Sequence, residues 1–115
     1  MAAVVHLVRD LLFVSKIRSV ADEVGVSVER AASAEALHDA ARSARLVIVD
    51  LRRPDALRAL ELLAADPATA DVPSVGFVDH ERTDVMDAAR ALGCRTVLAK
   101  GKFASDLPAL LAGAV

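Results

Sequence analysis

The sequence predicts an open α/β fold in which a five-stranded parallel sheet is covered by helices on both faces. Three observations carry this. Short apolar runs alternate with amphipathic stretches of helical period along the whole chain. Leu46 to Val49 is apolar without interruption, as expected of a central parallel strand buried on both faces. Gly25 and Gly93 stand where helical patterns stop.

Ala3 to Val8 reads as the first strand, interrupted by His6. Asp10 follows as a helix cap, and Phe13, Ile17, Val20 and Val24 recur at helical spacing up to Gly25. Val26 and Val28 alternate with Ser27 and Glu29, which predicts a second strand with one face near water. Ser33 is placed to cap a helix that buries Leu37, Ala40, Ala41 and Ala44. The third strand, Leu46 to Val49, ends in Asp50. Pro54 suits the first turn of a helix with Leu57, Leu60 and Leu63 as its stripe, and Asp66 and Pro67 end it. A loop from Asp66 to Pro73 leads to the fourth strand, Ser74 to Val78, with Gly76 inside it. Val85, Ala88, Ala89 and Leu92 mark the next helix, Thr96 to Ala99 the fifth strand, and Leu107, Leu110 and Leu111 the last helix.

Five βα units with right-handed crossovers give a (βα)5 three-layer sandwich of the flavodoxin-like type, strand order 2-1-3-4-5, expected as one domain over residues 1–115. The chain is 55% apolar but has no Trp or Tyr and three Phe, so Ala, Val, Leu and Ile are expected to build the core. A formal charge of −2 gives no global field toward nucleic acid or an anionic membrane, and neither is expected as a partner. No apolar run approaches the ~20 residues that span a bilayer, so a soluble cytoplasmic protein is expected. Cys94, the single cysteine, excludes an intramolecular disulfide and reads as a small packed hydrophobe. Glycine-rich phosphate loops, nucleophile elbows and zinc motifs are absent, and no enzyme activity, cofactor or metal is expected.

In a doubly wound sheet the functional crevice lies outside the carboxyl ends of the strands. Those ends supply Arg9 and Asp10, then Asp50, then Asp79 and His80, then Lys100, Gly101 and Lys102. A carboxylate at the end of a buried strand needs compensation, so Asp50 and Lys100 are expected to pair. Adjacent loop residues rarely converge on one ion, so His80 reads as a loop or cap residue. His6 reads as a packed histidine, and His38 as lying on a solvated helix face. Arg52, Arg53, Arg95, Lys100 and Lys102 are expected to gather at the same edge, where local positive charge would draw an anion or an acidic partner.

The stretches Leu46-Val47-Ile48-Val49-Asp50-Leu51, Val72-Pro73-Ser74-Val75-Gly76-Phe77-Val78, Ala91-Leu92-Gly93-Cys94 and Val97-Leu98-Ala99-Lys100-Gly101 resemble the receiver domains of bacterial response regulators. The resemblance covers essentially the whole chain. It implies that Asp50 matches the aspartate that accepts a phosphoryl group from a histidine kinase, and that Lys100 matches the lysine contacting that group. The family's acidic pair after the first strand, which holds Mg²⁺, falls on Val8 and Arg9. Its hydroxyl residue at the end of the fourth strand falls on Val78, and its aromatic switch falls near Val97 or Leu98. The chain therefore resembles the atypical, or pseudo-receiver, members, in which metal-dependent phosphotransfer is slow or absent.

Arg9 has two readings: a guanidinium that joins Lys100 in holding Asp50 ionised, or an exposed loop arginine. The resemblance implies signalling through a protein partner or a homodimer, by the face of the fourth helix, fifth strand and fifth helix. Asp84, Met86, Ala91, Arg95, Phe103 and Leu107 are expected there, with Phe103 as either anchor or core residue. Two other functions stand beside this one. The first is a working phosphoacceptor with Asp10 and Asp79 forming a makeshift Mg²⁺ site, and the second is an anion or small-ligand sensor.

Overall fold

The computed structural model describes residues 1–114; Val115, the last residue of the expected 1–115 span, lies outside them. Strands β1 (Val4–Leu7), β2 (Val28–Arg30), β3 (Leu46–Asp50), β4 (Ser74–Val78) and β5 (Thr96–Ala99) alternate with helices α1 (Leu11–Val24), α2 (Ala34–Ala41), α3 (Ala56–Ala65), α4 (Thr83–Ala91) and α5 (Lys100–Ala112). The strands are all parallel, in the order β2-β1-β3-β4-β5 expected from the sequence.

Local chemistry sets the element ends. The Asp10 side chain accepts the Leu12 N–H at 2.9 Å and the Ser33 hydroxyl accepts the Ala36 N–H at 3.1 Å, so both predicted caps form. Gly25 ends α1 at φ 76°, in the left-handed region that a side chain would strain. Both its N–H and that of Val26 return to the Ala21 carbonyl, at 2.9 and 3.0 Å. That closure holds Val26 in the helix cap, so the second strand begins at Val28 and not at the expected Val26. The third helix starts at Ala56, after Pro54, because the chain first turns through Arg53 N–H to Asp50 carbonyl and Ala56 N–H to Arg53 carbonyl bonds, each 3.1 Å.

Period-two alternation then divides the core between the two faces of the sheet. Val4, Val8, Ile48 and Phe77 face α1 and α5, where Ile17, Phe103, Leu107 and Leu111 meet them. Val5, Leu7, Val47 and Val49 face α2, α3 and α4, against Leu37, Ala59, Leu60, Leu63 and Ala89. The three phenylalanines correct the expectation of an all-aliphatic core: they gather on the α1/α5 side. The Phe77 and Phe103 rings stack at 4.2 Å and 7°, with Phe13 tilted against them at 5.0 and 5.7 Å. Phe103 and Leu107 are fully buried, so neither is the surface anchor that the sequence allowed.

His38 also departs from expectation. Its Nε2 lies 2.7 Å from Asp66 Oδ2, and the pair is mostly covered, so the imidazole ties α2 to the end of α3 and does not face open solvent. The Ala68 N–H, then His38 and Arg42, hold the Asp66 carboxyl below its ordinary range. Cys94 is buried as expected, its Sγ 3.4 Å from the Thr96 carbonyl, and burial pushes the thiol pKa up. None of the helices in the described residues is long and apolar enough to cross a membrane.

Gly76 allows β4 to pass beneath Leu51. A Cβ on Gly76 would lie 3.0 to 3.2 Å from three side-chain carbons of Leu51, which is itself buried. Gly76→Ala is therefore expected to cost about 1–3 kcal/mol, read as a lower urea midpoint at unchanged slope. The added Leu51→Ala change should recover part of that loss, and two additive losses would refute the contact.

Candidate functional site

Strand register decides which groups meet at the carboxyl edge of the sheet. Leu7 pairs with Val49, and Asp50 with Phe77, so Asp50 ends the central strand between β1 and β4. It is 1% exposed. A carboxylate at that depth needs hydrogen bonds to replace its water, and two backbone donors supply them. The Arg9 N–H donates to Oδ2 at 3.1 Å and the Arg52 N–H donates to Oδ1 at 3.0 Å. Asp50 thereby fastens the loop after β1 to the loop after β3.

Lys100 does not pair with Asp50, contrary to the sequence expectation. Its Nζ lies 3.2 Å from Asp79 Oδ1 instead. The reason is geometric: Val78 pairs with Ala99, which puts Asp79 and Lys100 side by side on neighbouring strands. Asp50 is two strand spacings from β5, roughly 10 Å. Arg9 meets Asp50 through its backbone while its side chain is exposed, so of the two readings of Arg9 the loop arginine is the one observed. Val8 and Val78 are fully buried, and neither side chain offers an oxygen ligand. His80 is exposed and sits 3.4 Å from Glu81.

A hard divalent cation takes about six oxygen ligands, preferably anionic. The residues around Asp50 do not fit one. Val8 is apolar and buried, Arg9 is cationic, Asp10 serves the α1 cap, and Asp79 is held by Lys100. Among the described residues, no group of three His, Cys, Asp or Glu side chains is placed to hold a metal ion.

The expected cluster of Arg52, Arg53, Arg95, Lys100 and Lys102 is likewise dispersed. Arg95 precedes β5 at the opposite, amino edge, its N–H on the Ser74 hydroxyl and its Nη2 3.4 Å from the Asp71 carbonyl. Lys102 pairs with Asp106 along α5 at 3.2 Å. Arg53 forms a fork on Asp55, at 2.8 and 3.1 Å, that raises the arginine and lowers the carboxyl pKa.

Three side chains at this edge escaped the sequence reading. Arg30, the last residue of β2, donates from Nε to the Val8 carbonyl at 3.2 Å. Its signal was the strand order itself: β2 flanks β1, with His6 beside Arg30, so the end of β2 belongs to the same edge. Leu11 and Leu12 open α1 at 69% and 81% exposure, beside the Asp10 cap.

No family model matches the sequence, and neither does any curated protein. Solved structures do resemble the fold. A response regulator from Hahella chejuensis superposes with a TM-score of 0.82 at 20% identity, covering 100% of this chain and 96% of that one. A putative response regulator from Chloroflexus aurantiacus gives 0.82 at 20% identity over 98% and 96% of the two chains. The receiver domain of a sensor histidine kinase from Pseudomonas aeruginosa, solved with a magnesium ion coordinated in its active-site cleft, gives 0.76 at 16% identity over 96% and 97%. With its 2-1-3-4-5 parallel sheet and these full-length superpositions, the chain has the fold of response-regulator receiver domains.

Proposed function

We propose that residues 1–115 form one receiver-like signalling module that works by contact with a protein partner or a second copy, without Mg²⁺-dependent phosphotransfer. The observation behind this reading is the state of Asp50: a buried carboxylate that accepts two backbone N–H groups, with no group of three His, Cys, Asp or Glu side chains among the described residues placed to hold a cation beside it. Phosphoryl transfer to a carboxylate brings two anions together, and a divalent ion ordinarily screens them. Lys100 is the one matching cation, and Asp79 already engages it.

The contact surface in this reading lies on the side of α4, β5 and α5, and it is redrawn by the burial of Phe103 and Leu107. Asp84, Ala91 and Arg95 remain exposed there, and Met86 is half-buried. β5 is an edge strand with every residue half-buried. Such a surface is polar with small apolar islands, in keeping with a transient contact more than with an obligate one.

The test is beryllofluoride with Mg²⁺, and separately acetyl phosphate with Mg²⁺, followed by amide NMR and intact mass. The expected outcome is no saturable shift at Asp50, Leu51 or Lys100 and no aspartyl phosphate. Modification at Asp50 would replace this reading with a working phosphoacceptor.

A further inference from the structure

The β2 end of the edge carries a second feature, away from the Asp50 carboxylate and from Lys100. A cleft of about 330 Å³ opens between Arg30, Ala31, Ala32 and Arg53. That volume falls at the low end for small-molecule sites. Both arginines lining it are fixed from behind. Arg30 is anchored by Nε on the Val8 carbonyl at 3.2 Å. Arg53 is anchored by Nη2 on the Ala32 carbonyl at 3.2 Å and by its fork on Asp55. Among the described residues, the two Nη groups of Arg30 and the Nη1 of Arg53 have no partner.

The charges at this cleft do not cancel. Asp55 balances Arg53 and also accepts the Ala34 N–H at 3.2 Å. Arg30 has no carboxylate within ion-pair distance among the described residues, and neither do Arg9 and Arg52. These last two donate their backbone N–H groups to Asp50, so three unpaired guanidinium groups stem from the ends of β2, β1 and β3. A purely structural role accounts for Arg53, which braces α2 against α3. It does not account for Arg30, whose charge is held by a neutral carbonyl with its fork free.

We propose that this cleft binds a small phosphorylated anion, of the phosphate monoester or diphosphate class. The planar fork of Arg30 matches two oxygens of a tetrahedral dianion, and Arg53, whose Nη1 has no partner among the described residues, lines the same cleft. Because each side chain is already tied to a backbone carbonyl, part of its rotamer freedom is lost before binding. The pairing is set by guanidinium geometry, so lysine at either position would not replace it.

The experiment is a titration with inorganic pyrophosphate at constant ionic strength, followed by amide NMR on the wild type, Arg30→Gln and Lys100→Gln. Saturable shifts are expected at Ala31, Ala32 and Arg53, weakened at least about tenfold in Arg30→Gln and unchanged in Lys100→Gln. Arg30 is exposed, and Arg30→Gln should otherwise keep the wild-type spectrum. Shifts centred on Lys100, Gly101 and Lys102, equal binding by Arg30→Gln, or no saturable shift at all would overturn the proposal. So would the same shifts produced by sodium chloride at matched ionic strength, which would reduce the effect to screening.

Discussion

Replacing Phe103 with alanine is expected to remove about 3–5 kcal/mol of unfolding free energy. Phe103 is fully buried and stacks on Phe77 at 4.2 Å, with Phe13 closing the third side of the cluster. Truncation removes the ring's transfer energy and leaves a cavity between α5, α1 and β4. Leu107 and Leu111, the next core residues of α5, are already fully buried and cannot move in to fill it without unseating the helix. A domain of this size has roughly 5–15 kcal/mol in hand, so the variant should be marginal at room temperature. Urea unfolding checks it: the midpoint falls while the slope holds, and Phe103→Leu loses only a part of the total. A loss below about 1 kcal/mol would mean that the aromatic cluster is not a packed core. The result bears on function as well. A partner lost on Phe103→Ala would report unfolding, so the α4, β5 and α5 face is properly probed at Asp84, Ala91 and Arg95, which are exposed.

The fold was legible because it is written in periodicity. Strand and helix periods, two glycine stops and an uninterrupted central run leave few topologies open, and right-handed crossover selects among them. The identity of Asp50 as the end of the central strand was legible for the same reason. Its partners were not. A sequence gives the order of strand ends but not their lateral distances, and Lys100 chose the neighbouring Asp79 over an aspartate two strands away. Backbone donors are also silent in sequence, yet the N–H groups of Arg9 and Arg52 are what satisfy Asp50. The burial of Phe103 was open because α5 follows β5 at once, with Lys100 as its first residue, so the helix phase depends on where the turn begins. Arg95 shows the converse error. Its charge suits the carboxyl edge by sequence, but it stands at the start of β5, a strand length away.

His6 is expected to make the fold acid-sensitive well above the carboxylate range. It is 3% exposed within β1, and its Nδ1 has no hydrogen-bond partner among the described residues. Burial, then the nearby positive charges of Arg30 and Arg18, lower its pKa from the ordinary 6.5 to about 4. Between those two values the unfolded chain holds a proton that the native state refuses, so stability falls as the pH falls. Each unit costs about 1.4 kcal/mol, for a total near 3 kcal/mol across the window. The upper part of that window, from about pH 6.5 to 5, is diagnostic, because ordinary carboxylates stay charged there while His6 should remove about 2 kcal/mol. His6→Leu keeps the apolar volume, deletes the orphaned nitrogen and should lose this acid slope over that span, with no loss of stability at neutral pH. Urea midpoints at a series of pH values, with the imidazole titration followed by NMR, measure both. A His6 midpoint near 6.5, or an equal acid slope in His6→Leu, would show that the ring takes its proton inside the fold, and the sheet would then need an acceptor for Nδ1 that its packing does not provide.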